Sequence, residues 1–186
     1  VTPWRPNAYG PGKGEFVLGP MSHDRTMSLA ISPADSSLLA LTGWTSLVSN
    51  SAPERVYVTA DAGAHFADVT KSLRDATGTI GQWRPSALLL LPMKSKPGTT
   101  ALLVGTAHGV FASFLSTGAA PSSRPVVRNT EWARLGSCDQ LPLVMVAGLS
   151  HEPKDDTLLA ATMGRGVYAA HGAIRELEAL LARESI

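Results

Sequence analysis

The feature that most constrains the fold of this chain is a pattern of three similar segments. Each segment contains an apolar strand ending in proline, a polar turn, an apolar strand ending in threonine, and a short strand with a central aromatic residue. Pro33, Pro92 and Pro153 mark the three segments, at a spacing of roughly sixty residues. Proline suits a strand end, where its missing N–H breaks no ladder hydrogen bond. Because one small sheet buries its faces only against neighbouring sheets, the repeat predicts a stack of similar sheets.

The later parts of the segments align in the same way. The aligned pieces are Ser37–Thr42 with Arg55–Thr59, Ala101–Thr106 with Gly109–Ala112, and Thr157–Thr162 with Gly166–Ala169. In this alignment the leucine pairs that begin at Leu38, Leu102 and Leu158 are equivalent. A fourth strand is predicted over 65–70 in the first segment and over 131–135 in the second. The third segment continues instead into an amphipathic helix, with Ile174, Leu177, Leu180 and Leu181 on one side.

Four strands in about sixty residues are typical of a propeller blade. We therefore predict an all-β fold: a partial β-propeller of about three four-stranded blades, with a C-terminal amphipathic helix. The predicted divisions are 1–24 as an N-terminal extension with a possible outer strand, 25–84 as blade 1, 85–140 as blade 2, 141–170 as a partial blade 3, and 171–186 as the helix. Three polar stretches, Thr45–Glu54, Met93–Thr100 and Ser116–Thr130, are predicted as loops.

Composition argues against several classes of function. The net charge of +1 gives no basic field for nucleic acid or an anionic membrane. The longest apolar run, Ala87–Pro92, is too short to span a bilayer. The five histidines show no metal-ligand spacing, and Cys138 is the one cysteine. Gly164-Arg-Gly166 opens a glycine pattern of the dinucleotide-binding type, but the same element recurs at Gly109, so the repeat explains it better. We predict no metal and no cofactor.

The stretch Thr59-Ala-Asp61-Ala-Gly63-Ala-His65-Phe66 resembles the Asp-box of BNR-like β-propellers, the superfamily of sialidase, sortilin and xyloglucanase blades. The resemblance extends over roughly residues 25–170. It implies a turn between the third and fourth strands of a blade, in which Asp61 accepts backbone N–H groups and Gly63 takes a positive φ. It also implies that Phe66 packs between blades. A secreted location or an organelle lumen is slightly favoured by the same resemblance.

One fold hosts many functions, so activity has to be argued from a site. No convergent set of catalytic residues is evident; Asp24, beside His23 and Arg25, is the best remaining carboxylate for a glycosidase. We therefore expect a non-catalytic interaction scaffold. The alternatives are a sialidase- or xyloglucanase-like glycoside hydrolase and a carbohydrate-binding propeller. Possible ligand-binding residues are Trp44, Trp83 and Arg165, although tryptophans at strand ends more often pack between blades.

Three blades are too few to close a ring, since propellers have four to eight. An open stack leaves two apolar faces exposed. We expect these faces to be covered by further blades of a longer protein, by self-association, such as two chains with six blades, or by a protein partner. The C-terminal helix is expected to help cover an open end.

Overall fold

The structure is a computed structural model that describes residues 24–45, 55–70, 73, 76, 84–118 and 126–184. These residues are mostly β-sheet, and every strand pairing in the three sheets is antiparallel. The prediction of an all-β fold with a C-terminal helix is confirmed. The possible outer strand in residues 1–24 lies almost wholly outside the described residues.

The three sheets follow one another along the chain, and strands pair in sequence order within each, except for the last strand of the second sheet. The first sheet consists of β1 (Asp24–Ile31), β2 (Leu39–Thr45), β3 (Arg55–Thr59) and β4 (Ala67–Asp68). The second consists of β5 (Ala87–Pro92), β6 (Thr99–Thr106), β7 (Gly109–Gly118), β8 (Val126–Asn129) and β9 (Ala133–Arg134). The third consists of β10 (Val146–Glu152), β11 (Thr157–Thr162) and β12 (Gly166–His171), followed by helix α1 (Ala173–Glu184).

The second sheet departs from the sequence prediction, because its outer position holds two short strands rather than one. β7 continues to Gly118, and its end pairs with β8 while its start pairs with β9. The prediction of four strands here was therefore wrong. The predicted loop over Ser116–Thr130 was wrong at 116–118 and 126–129, which are strand, and its residues 119–125 lie outside the described residues. Ser116, Arg128 and Asn129 are exposed, so this edge of the sheet carries the polar residues that made it look like a loop. Edge strands commonly carry such residues, which discourage pairing with other chains.

The strand register corrects the alignment of the first segment by one residue. Across the hairpins, the three aromatic residues pair as follows: Tyr57 with Leu41, Phe111 with Val104, and Tyr168 with Ala160. Leu39, and not Leu38, therefore occupies the position of Leu102 and Leu158. The correction matters because successive side chains of a strand point to opposite faces, so a shift of one residue exchanges the faces.

Consecutive sheets pack face to face, and we call the face turned toward the following sheet the forward face and the opposite one the rear face. The core between the first and second sheets includes Leu38, Ala40, Val56 and Val58 on one side, and Leu88, Leu90, Leu102, Val104 and Phe111 on the other. The core between the second and third sheets includes Leu91, Ala101, Leu103, Val110 and Ala112 on one side, and Val146, Leu158 and Ala160 on the other. All eight residues of β6 are buried, because both faces of the middle sheet are covered.

Helix α1 contacts a turn of the second sheet and a turn of the third sheet. Ala173, Leu177 and Leu181 are buried in the core between these sheets. Asp156, in the turn between β10 and β11, begins the helix by accepting the Ile174 N–H on its Oδ1 at 2.8 Å. Glu178 of the helix accepts the Ser95 N–H at 3.1 Å. The predicted apolar side of the helix is thus confirmed, but the helix packs against this core and leaves the forward face of the third sheet open.

Candidate functional site

The turn between β3 and β4 is closed by its own side chains. Thr59 Oγ1 donates to Asp61 Oδ1 at 2.7 Å and accepts the Gly63 N–H at 3.0 Å. Asp61 Oδ1 also accepts the His65 N–H at 2.9 Å, and Asp61 Oδ2 lies 2.7 Å from His65 Nδ1. Gly63 has a φ of +96°, and Ala62 also lies in the left-handed region. Both carboxylate oxygens of Asp61 are thus engaged in holding the turn.

These contacts set the pKa of Asp61. Burial of the carboxyl would raise its pKa, but hydrogen bonds from Thr59 and from the backbone and ring of His65 favour the charged form and outweigh burial. The net result is a pKa of about 2, below the ordinary 3.8. The side chain is 20% exposed. A carboxylate held this strongly in its charged form is unsuited to donate a proton near neutral pH.

Asp61→Asn should therefore alter acid stability in a defined window. Because the pKa is lower in the folded state, the unfolded state binds more protons between pH 4 and pH 2. The contribution of Asp61 to the free energy of unfolding is complete above about pH 4 and is lost as the pH falls toward about 2. With allowance for exposure, it amounts to about 1–2 kcal/mol. We expect urea unfolding of Asp61→Asn to show a destabilisation of this size at pH 6 that shrinks toward zero at pH 2.

The matched control is Thr59→Ser, which keeps the hydroxyl that donates to Asp61 and accepts from Gly63. It should reproduce the wild-type pH curve. If the free energy of unfolding differed by a constant amount between wild type and Asp61→Asn from pH 6 to pH 2, this account of the turn would be contradicted.

Contact between the first two sheets is made by a tryptophan that follows β8. Trp132 is buried in the core between these sheets, and its Nε1–H donates to the Val69 carbonyl at 2.9 Å. Trp132 lies in the interruption between β8 and β9. Phe66, for which the Asp-box resemblance implies packing between blades, is half-buried, and its ring lies 3.9 Å from where a Cβ of Gly63 would be. Its ring thus lies against the turn itself.

The predicted ligand-binding residues are not brought together among the described residues. Trp44 lies in β2 opposite Arg25, and Arg165 is exposed in the turn between β11 and β12. Both positions are at the same end of the stack, but the second sheet separates them. Trp83 and His23 lie outside the described residues, as do the side chains of Asp24, Arg25 and Trp44. Gly164 and Gly166 flank Arg165 in a β-hairpin, so the glycine pattern lacks the strand–turn–helix setting of a dinucleotide site.

A cavity of about 260 Å³ lies between the second sheet, the third sheet and α1. Its lining is mainly aliphatic, with Leu135, Leu141 and Tyr168 among its walls and His171 and Glu176 as polar groups. His171 Nδ1 is within 2.9 Å of Thr157 Oγ1. Glu176 is the one carboxylate in this lining, whereas a glycosidase needs two that flank the bond. The cavity therefore does not supply the chemistry of a glycoside hydrolase.

The forward face of the third sheet is an exposed apolar surface. Leu159 and Ala161 of β11 lie on it, together with Val167 and Ala169 of β12. Val167 is 66% exposed and Leu159 is 38% exposed. The sequence predicted open faces but did not identify these residues. The available signal was the adjacent Leu158-Leu159 pair, since a strand with apolar residues on both faces is typical of a strand buried on both sides.

Among the described residues, no group of three histidine, cysteine, aspartate or glutamate residues is placed to hold a metal ion. Nor does any helix in the described part of the chain have the length and apolar character needed to cross a membrane.

Comparison with known proteins adds little to this picture. No protein-family model matches the chain, and no curated protein matches it. Among solved structures, it is similar to Sqt1 from Chaetomium thermophilum, with 13% identity and a TM-score of 0.42 over 80% of this chain and 35% of that one. Sqt1 from the same organism, bound to the N-terminus of ribosomal protein L10, aligns with 12% identity and a TM-score of 0.42, over 80% of this chain and 37% of that one. The chain thus spans about a third of the length of these structures, and a likeness this weak carries no argument about function.

Proposed function

We propose that this chain is a non-catalytic β-propeller module, of the Asp-box type, that serves as a protein-interaction scaffold. The observation that carries the proposal is the forward face of the third sheet. Its apolar residues occupy positions that are buried against a neighbouring sheet in the first and second sheets. Exposed apolar patches of this kind mark surfaces that bind another protein.

The arrangement of the sheets supports the propeller assignment. The strands of each sheet are antiparallel and, apart from β9, pair in sequence order, and each sheet packs on the next through its faces. β5, the first strand of the second sheet, contacts β1 of the first sheet and β10 of the third. First strands that lie side by side are what a radial arrangement of blades requires.

The side chains near the candidate sites support a role without catalysis. Asp61 is engaged within its turn, and the cavity beside α1 is lined by one carboxylate. Arg165 and the backbone position of Trp44 belong to different sheets. The glycosidase and glycan-binding alternatives therefore lack a described pair of residues that could act together.

The proposal is tested by placing a photo-crosslinking amino acid at Val167 in the protein as it occurs in its own cells. We expect a covalent adduct with a protein, identified by mass spectrometry. Lys154 is a suitable control position, because it is exposed in a turn of the same sheet and off the apolar face. Equal adducts from both positions, or none from Val167, would overturn the proposal.

A further inference from the structure

The stack uses one kind of interface twice, and apolar residues of both halves of a third one are exposed. On the forward side, Val56, Val110 and Val167 share one position, because each lies one residue before the aromatic residue of its strand. Val56 and Val110 are buried against the following sheet, whereas Val167 is exposed. The forward face of the third sheet thus repeats a surface that packs on another sheet at the two equivalent places in the chain.

The rear face of the first sheet supplies the complementary half. Leu29 pairs with Leu41 and Ile31 with Leu39, in the same way that Leu88 pairs with Val104 and Leu90 with Leu102. Leu29 and Ile31 are therefore equivalent to the residues that the second sheet presents to the first. Leu88 and Leu90 are buried there, whereas Leu29 is 56% and Ile31 is 54% exposed. Leu41, on the same face of β2, is buried at 5% exposure, so the exposed part of this face is formed by β1.

A close approach between sheets also recurs at one repeat position. Thr42, Gly105 and Ala161 share this position, since they pair with Val56, Val110 and Val167 respectively. Thr42 Oγ1 donates to the Pro85 carbonyl of the second sheet at 3.0 Å. A Cβ on Gly105 would lie 2.9 Å from Val146 Cγ1 of the third sheet. In each case the contacted residue lies at or just before the start of the next sheet's first strand.

The residue equivalent to Val146 in the first sheet is Thr26. β1 has a bulge between Thr26 and Ser28, and β10 has one between Val146 and Gly148. Ser28 pairs with Thr42 just as Gly148 pairs with Ala161. If a first sheet followed a third sheet in the same way, Ala161 would therefore meet Thr26.

We propose that a second copy of this chain docks head to tail, with the forward face of each third sheet covered by the rear face of the other copy's first sheet. The inference rests on the proposed propeller-type interaction module. Two copies joined in this way contribute six sheets, within the range of four to eight that close a ring. The net charge of +1 per chain imposes little repulsion between copies. In the proposed ring both exposed faces of each copy are covered, so the closed assembly does not grow.

The orientation is tested by disulfide trapping between two differently tagged chains in a Cys138→Ser background, which removes the exposed free cysteine. One chain carries Ala161→Cys and the other carries Thr26→Cys. We expect a disulfide-linked heterodimer after mild oxidation, since close backbone approach is what a disulfide requires. The control places Ala161→Cys in both chains, and it should give no cross-link, because equivalent forward faces do not meet. Cross-linking in the control alone, or in neither, would overturn the proposal.

The assembly itself is tested by light scattering on the purified chain. We expect the wild-type protein to have twice the mass of one chain, which is 19.5 kDa. For Val167→Asp we expect a twofold lower mass, equal to that of one chain. Met163→Asp is the matched control, because Met163 is also exposed and apolar but lies in the turn beyond β11. It should keep the double mass, and circular dichroism should show that both variants are folded.

A wild-type chain with the mass of one copy, or a mass that keeps rising with concentration, would overturn the second-copy proposal. If a one-copy wild-type chain still gave a Val167 adduct with a different protein in cells, the proposed scaffold function would stand alone. If two copies formed and the assembly hydrolysed a glycan, the proposed function would fail while the docking stood.

Discussion

Trp132→Ala should destabilise the chain by about 3–5 kcal/mol, the usual cost of removing a buried aromatic side chain. Trp132 is 5% exposed and lies in the core between the first two sheets. Its removal leaves a cavity there and also leaves the Val69 carbonyl without the indole donor. The measurement is the free energy of unfolding in urea, at one fixed protein concentration, because assembly would make stability depend on concentration.

Trp132→Phe separates the two contributions. Phenylalanine keeps most of the buried ring but lacks the N–H that bonds Val69, so we expect a smaller loss of about 1–3 kcal/mol. Equal losses for the alanine and phenylalanine variants would mean that the hydrogen bond dominates and that the ring fills little of this core. A loss below about 1 kcal/mol for Trp132→Ala would contradict the packing of the two sheets described above.

Gly105→Ala should destabilise the chain by about 2–3 kcal/mol through overpacking. A Cβ at Gly105 would lie 2.9 Å from Val146 Cγ1, 3.0 Å from the Val146 carbonyl oxygen and 3.1 Å from Ala87 Cβ. Backbone and Cβ atoms cannot turn aside as the end of a long side chain can, so the second and third sheets must separate slightly. Urea unfolding measures the loss.

Gly148→Ala is the control, because a Cβ there would meet Ala161 Cβ at 3.6 Å, an ordinary contact. Both glycines lie in strands, and neither has a positive φ. The two substitutions therefore differ mainly in crowding, and Gly148→Ala should change stability by no more than about 0.5 kcal/mol. Equal losses at both positions would indicate a general cost of replacing glycine and not a close approach of the sheets.

Much of the secondary structure could be predicted from local patterns. The three prolines, the paired leucines and the aromatic residues predicted the strands of all three sheets, and the spacing of Leu177 and Leu181 predicted the buried side of α1. These features depend on residues close in sequence, whose periodicity is read directly. The outer edge of the second sheet could not be read in this way, because exposed strand residues such as Arg128 have the composition of a loop.

The candidate sites were less accessible from the sequence. Nothing in the sequence distinguished Trp132 from the other three tryptophans as a residue that packs between sheets, and only the tertiary structure shows that it lies in the core between the first two. The exposed forward face was hidden because Leu159 looks like any buried leucine in the sequence. Its exposure depends on whether another sheet follows, which is a property of the assembled layers.

The sequence by itself determined that the chain forms repeated antiparallel strands and a closing helix, since those follow from local alternation and turn residues. Only the tertiary structure decided which face each residue occupies. The pairing of Tyr57 with Leu41 shifts the alignment of the first segment with the other two by one residue. In a strand, a shift of one residue exchanges the two faces of the sheet. Register is fixed by contacts across the sheet and between sheets, over separations that local sequence patterns do not record.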